Sequence, residues 1–498
     1  MVMARSYTPY HPGLLTDLYH PDSAYVAWRA GRDGPTTFDL YARRAPFGGA
    51  YLLVAGLEMA LEFVRHFHYT DEDIAFLQQI RDYEPEFLEY LRGLRFSGEI
   101  LAMPEGSIAF PNEPLLRVTA PFVEALLLES GLLQAINLAT LIATKASRVV
   151  WAARGRPVAE FSLRRAQDPF VATRSSRIGG CFSTSFLGAA YRFRLPSTGT
   201  VPHALIQLFD TERDAFEAIA NTYNRYTLLL DTYDPRAAIH TAVEVALSAR
   251  ERLGHVLAAV RLDSGDLIGD ARYVRDVLDQ AGLREVKIAA SGDLDEFSIQ
   301  EMLEAGAPVD SFGVGTSLGV GAGSVERDIE GAALGGVYKE VFYTDERGPH
   351  PKIKVAGDKS TWPGVKEVYR LGNFASDVVQ LASEPKPSDS ERLLKPVVLH
   401  GDVVPGSLPP LSEIWELAQG NLRRLPDEFR QLIPSRPYPV RISDGIRAMR
   451  EAALDEQRRA RGNGHNGLAQ PDGELAEPTA TATAESVDAL ARNQAVAE

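Results

Sequence analysis

The run His255-Val256-Leu257-Ala258-Ala259-Val260-Arg261-Leu262-Asp263-Ser264-Gly265-Asp266 decides the fold. It opens as a short apolar stretch of strand length, and an arginine, two acids and a glycine arrive where the strand ends. Residues 270–281 then carry helical amphipathicity. The unit recurs along the chain. Residues 227–230 run into Asp231-Thr232-Tyr233-Asp234 and a helical stretch over 235–253, residues 286–290 into Ser291-Gly292-Asp293, and residues 309–314 into Gly315-Thr316. Repeated strand–loop–helix units imply parallel strands joined by right-handed crossovers, as an α/β barrel or a doubly wound sheet. In a barrel the site forms at the carboxyl ends of the strands. One acid after a strand is commonly only the N-cap of the next helix. Four successive units with an embedded Arg261 point beyond capping.

Other residues carry chemistry of their own. In Gly313-Val314-Gly315-Thr316 the glycines let backbone N–H groups approach a phosphate, with the Thr316 hydroxyl as a further donor; the bland alternative is a tight turn that needs positive φ. The sequence matches neither a Walker A loop nor a dinucleotide fingerprint. Glu160-Phe161-Ser162-Leu163-Arg164-Arg165-Ala166-Gln167 sets two guanidinium groups beside an aromatic ring, suited to carboxylate or phosphate or else to a solvated helix start. His203 follows Gly199-Thr200-Val201-Pro202, and a lone histidine is commonly structural.

Composition narrows the class. The chain has 498 residues, 45% hydrophobic and 24% charged, an ordinary globular balance long enough for more than one unit. Its one cysteine, Cys181, rules out a disulfide within the chain and a multi-cysteine zinc site. The net charge of −15 disfavours non-specific nucleic-acid binding and anionic membrane surfaces. No signal-like start and no apolar run of spanning length stand out, so a cytoplasmic protein is expected. Residues 14–131 are predicted as an α/β sandwich domain, with strand at 38–41, helix at 56–66 and a hairpin pairing 98–102 with 107–110. Residues 132–372 are predicted as the barrel, 373–456 as a segment packing back on the sandwich, and 457–498 as a disordered or loosely helical tail.

Taken together, Leu15-Thr16-Asp17-Leu18-Tyr19, Phe47-Gly48-Gly49, Pro104-Glu105-Gly106, Pro111-Asn112-Glu113-Pro114-Leu115, the 161–167 segment, Gly199-Thr200, 261–267, 291–296, 312–316 and Pro363-Gly364 resemble, in the same order, nicotinate phosphoribosyltransferases. The resemblance implies a type II phosphoribosyltransferase fold, an irregular α/β barrel with an α/β sandwich domain, and a homodimer with shared active sites. It implies that nicotinate joins the ribose of 5-phosphoribosyl 1-pyrophosphate, assisted by ATP, with Mg²⁺ accompanying the pyrophosphate or ATP. Tyr19 from the partner subunit and Phe161 would sandwich the pyridine ring, and Arg261 would meet its carboxylate near Thr200 and Ser185. Arg164 would help hold phosphate, while Gly292, Gly315 and Thr316 would cradle the 5-phosphate. Asp263 and Asp293 would lie near the ribose and Asp231 on the metal-pyrophosphate side; His203 would be the histidine phosphorylated by ATP. Related nicotinamide enzymes place an acid where this chain has Ser185, and an acid there would repel a carboxylate. The chain departs from the common pattern at Phe186, at Pro202 and Ala204 around His203, at His20-Pro21-Asp22 and at Asp168. A transferase acting on another base or without ATP, and a non-catalytic nucleotide-binding relative, are the competing functions.

Overall fold

The computed structural model describes residues 11–355 and 361–462. The first part of the chain supplies strands β1 (Pro35–Ala42), β2 (Leu52–Leu53), β3 (Glu99–Ala102), β4 (Ile108–Ala109) and β5 (Leu116–Pro121), with helix Leu57–His66 where the apolar periodicity predicts it. The predicted hairpin does not form. β3 lies between β5 and a strand from the end of the chain, while β4 pairs with β2. The segment between them is drawn inward instead, because buried Glu105 accepts two hydrogen bonds from Arg174, both 2.7 Å, and one from the Gly56 N–H.

The next six strands are β6 (Val158–Glu160), β7 (Ser183–Thr184), β8 (Arg225–Leu229), β9 (Val256–Leu262), β10 (Lys287–Ala290) and β11 (Ser311–Val314). All pair in parallel, in the order β7-β6-β11-β10-β9-β8, and form an open half-barrel. The crossover helices begin and end on local signals. Pro235–Leu253 starts with proline after the cap Asp234 and stops at Gly254, whose φ of 71° suits a residue without Cβ.

β12 (Gly336–Asp345) and β13 (Gly348–Pro351) fall within the predicted barrel segment 132–372, yet they hydrogen-bond to the first sheet through β1. The remaining strands are β14 (Lys366–Leu371), β15 (Ser376–Leu381), β16 (Ser390–Arg392), β17 (Lys395–Leu399), β18 (Asp402–Val403) and β19 (Val440–Ile442). β17 pairs with β3, so the sandwich sheet reads β13-β12-β1-β5-β3-β17-β18, while β16-β14-β15-β19 form a separate sheet. The last helix runs from Asp444 to Gly462, past Gln457 where the tail is predicted to begin; residues 463–498 lie outside the described residues.

One helix, Glu129–Ala152, ties the parts together. It is buried over most of its length and packs Leu132, Ile136 and Leu141 into the sandwich core, Ala146, Val149 and Ala152 into the half-barrel core, and Ala139 and Ala143 into a third cluster. Its two interior cations meet one acid. Lys145 lies 2.5 Å and Arg148 3.0 Å from the Glu296 carboxylate, and all three side chains are at most 1% exposed. Arg148 also donates to the Phe47 and Leu432 carbonyls, and a Cβ on Gly49 would lie 2.8 Å from its guanidinium.

Candidate functional site

The acids beyond the strands do two different jobs. The farther acid of each loop caps a helix: Asp234 accepts from the Arg236 N–H, Asp266 from the Gly269 N–H, and Asp295 from the Phe297 and Ser298 N–H groups. The nearer acids, Asp231, Asp263 and Asp293, cap none of the helices described. Capping therefore explains half of the acidic pattern and leaves the half closest to the strand ends.

Asp263 pairs with Arg261, and Asp231 supports Asp263 from behind. Arg261 Nε donates to the Ser291 hydroxyl at 2.7 Å, one terminal nitrogen donates to the Thr200 hydroxyl at 2.7 Å, and the other pairs with Asp263. The Ser291 hydroxyl donates onward to Asp263 Oδ1 at 2.5 Å. Asp231 Oδ2 accepts from the Asp263 N–H at 2.9 Å and from the Ser264 hydroxyl at 2.6 Å. His203 places Nε2 3.7 Å from Asp263 Oδ2 and bonds Thr232 through Nδ1 at 3.1 Å. Burial favours a neutral Asp263, but the Ser291 hydroxyl, the Arg261 guanidinium and His203 outweigh it and hold this carboxyl below the usual carboxylate range.

Phe161 forms one wall, its ring centroid 6.0 Å from the Arg261 guanidinium carbon. A Cβ on Gly313 would lie 2.4 Å from that ring, so glycine here makes room for the aromatic face. Gly292 is required more strictly: its φ is +89°, and a Cβ would stand 1.6 Å from the Asp263 carbonyl oxygen. Asp293 follows at φ 42°, a left-handed conformation that costs a non-glycine residue about 1–3 kcal/mol and recurs at functional loops. Beyond β11, Gly315 and Thr316 begin a single helical turn, and the buried Ser317 hydroxyl has no protein partner among the described residues. Ser185 is exposed next to β7, its N–H held by the Glu160 carbonyl at 3.0 Å. Arg164 and Arg165 are exposed and have no ion pair among the described residues.

Tyr19 stands apart. It opens the helix Tyr19–Arg29, is 53% exposed and packs on His20, not on Phe161, among the described residues. Burial, with Glu129 and Asp17 nearby, raises its phenol, which stays neutral. A cavity of about 1330 Å³ between Trp151, Phe297, Arg423 and Ile433 is lined by none of the predicted site residues. The predicted site is instead an open face, with Ser185 and Ser264 exposed and His203 partly so. Two contributors escaped the sequence reading. Ser291 joins Arg261 to Asp263, and Glu160 lies beneath Phe161; both sit inside motifs quoted above, but neither carries a chemical signature of its own.

Among the described residues no three His, Cys, Asp or Glu side chains form a cation cage, and no helix is long and apolar enough to cross a membrane. At the strand ends the buried Asp231 Oδ1 lacks a hydrogen-bond partner among the described residues. A single free carboxylate oxygen suits a divalent ion that arrives on a polyphosphate.

The chain matches two family models, the nicotinate phosphoribosyltransferase N-terminal domain over residues 14–137 and the C-terminal domain over residues 379–450. It is 39% identical over 442 residues to a nicotinate phosphoribosyltransferase of Mycobacterium tuberculosis, covering 87% of this chain and 92% of that one. The Bacillus subtilis nicotinate phosphoribosyltransferase is 36% identical over 464 residues, covering 86% and 93%. The crystal structure of human nicotinic acid phosphoribosyltransferase superposes with a TM-score of 0.77 at 31% identity, covering 88% of this chain and all of that one. An arginine and paired acids at the ends of a parallel half-barrel, together with likeness along nearly the whole described length, make this chain a member of the nicotinate phosphoribosyltransferase family.

Proposed function

We propose that this protein forms nicotinate mononucleotide and pyrophosphate from nicotinate and 5-phosphoribosyl 1-pyrophosphate in NAD biosynthesis, coupled to ATP hydrolysis. The observation that carries this reading is Arg261, clamped by Thr200, Ser291 and Asp263 beside the Phe161 ring. A fixed guanidinium next to an aromatic face recognises a flat anion, and nicotinate is one. The loop over residues 180–185 offers Ser185 and no acid, which favours a carboxylate over an amide.

Leaving of pyrophosphate makes an electron-poor C1 on the ribose and a highly anionic product. Ionised Asp263, and Asp293 in the loop after β10, stabilise the first; Arg164 and the Gly292, Gly315 and Thr316 amides bind phosphate oxygens. Mg²⁺ bound to pyrophosphate would lie against Asp231 and neutralise the leaving group. The pyridine nitrogen then attacks C1, and catalysis consists of positioning and electrostatics. His203 accepts the phosphoryl group of ATP; its contact with Asp263 links that event to the ribose side of the site. Tyr19 of a second copy closes the ring slot in a homodimer, and the open face of the single chain supports that role.

Purified protein should convert nicotinate, and not nicotinamide or quinolinate, with ATP raising the rate. Turnover of another base, or of none, would reject the reading. His203→Ala should abolish the ATP stimulation and spare basal transfer; an unchanged ATP dependence would move the coupling to another residue.

A further inference from the structure

Glu160 ends β6, and its carboxylate is 1% exposed, surrounded by residues that flank the pyridine slot. One oxygen accepts from the Ser162 N–H at 2.5 Å and so closes a tight turn around Phe161. The other accepts from the Thr173 hydroxyl at 2.9 Å and the Thr184 hydroxyl at 2.6 Å. The Thr184 oxygen in turn accepts from the Phe186 N–H at 3.0 Å, so this relay straddles Ser185. A single buried carboxylate thus grips the backbone after the aromatic wall and, through one hydroxyl, the backbone on both sides of the serine.

Strand pairing alone does not do this. β6 is already hydrogen-bonded to β7 and β11 by its backbone, and an apolar side chain at position 160 would preserve those ladders. Burying a carboxylate is costly unless every donor is matched, and here three donors converge on it. Such a network specifies geometry.

We infer that Glu160 is a positioning residue that sets the spacing between Phe161 and Ser185, and with it the affinity for a flat pyridine carboxylate. The inference rests on the base-binding reading above. Its effect falls mainly on the base half of the site, because Gly292, Gly315 and Thr316 follow β10 and β11 and only Arg164 among the phosphate-binding residues follows Phe161.

The test is steady-state kinetics of the full chain with nicotinate and 5-phosphoribosyl 1-pyrophosphate varied separately, alongside melting temperatures. Glu160→Ala and Thr184→Val should each raise KM for nicotinate about tenfold or more while KM for 5-phosphoribosyl 1-pyrophosphate stays within about twofold. Thr184→Ser keeps the hydroxyl and should restore KM. Glu160→Gln should remain close to wild type, since its carbonyl can face the Ser162 N–H and threonine hydroxyls can accept from its amide. Equal changes in both KM values, or an unchanged nicotinate KM in Thr184→Val, would overturn the inference. A wild-type protein inert toward nicotinate would instead overturn the base assignment. If Glu160→Ala does not fold, the Thr184 pair decides.

Discussion

Asp263→Asn should lower turnover by at least about 100-fold while leaving the melting temperature nearly unchanged, a loss comparable to removing one preorganised electrostatic group from an active site. The new amide oxygen can still face Arg261, and Asp231 is bound through the residue 263 backbone N–H, which the substitution keeps. What disappears is the negative charge that the proposed mechanism sets against the ribose. The sign of the pH effect follows from the depressed carboxyl. Its ionised form persists below the ordinary aspartate value of about 3.9, so any stability that ionisation contributes is present above that value and is lost only as pH falls through the lower folded one. An acid limb of kcat/KM near neutrality would therefore belong to another group. Normal turnover in the Asp263→Asn enzyme would remove this residue from the chemistry.

The largest stability effect is expected at Glu296→Ala. This change leaves Lys145 and Arg148 in the interior without their shared counter-charge, and breaking a buried ion pair from one side costs about 3–5 kcal/mol. Natural domains hold only about 5–15 kcal/mol in total, so the variant should unfold at far lower denaturant or fail to accumulate. Burial already pushes the Lys145 ammonium down against the pull of Glu296, and without the acid it would shed its proton more readily. Equilibrium denaturation measures the difference; a loss below about 1 kcal/mol would mean that the cluster is relieved by water or by movement of the helix.

Four of the six half-barrel strands, β8 to β11, were legible because each strand, its polar ending and its helix lie within about thirty residues, the span of one βαβ unit. β6 and β7 were not, since they are short and β6 reaches β11 only after folding. Division of labour among the acids was not legible. Asp263 and Asp266 are chemically identical, and only coordinates reveal that one faces Arg261 while the other caps a helix. The sandwich was harder still. β1 pairs with β12, and β3 with β17, across intervals no periodicity spans, and the apparent hairpin at 98–110 failed because Glu105 had a distant partner in Arg174. Glu160 was hidden for the same reason: its value depends on Thr173 and Thr184, which reach it only after folding.

The helix Glu129–Ala152 has a consequence for how this architecture can change. Because its side chains finish both interiors, the catalytic half cannot be excised, permuted or swapped onto another scaffold without exposing apolar surface on each side of the cut. The two halves therefore have to be kept, or altered, together.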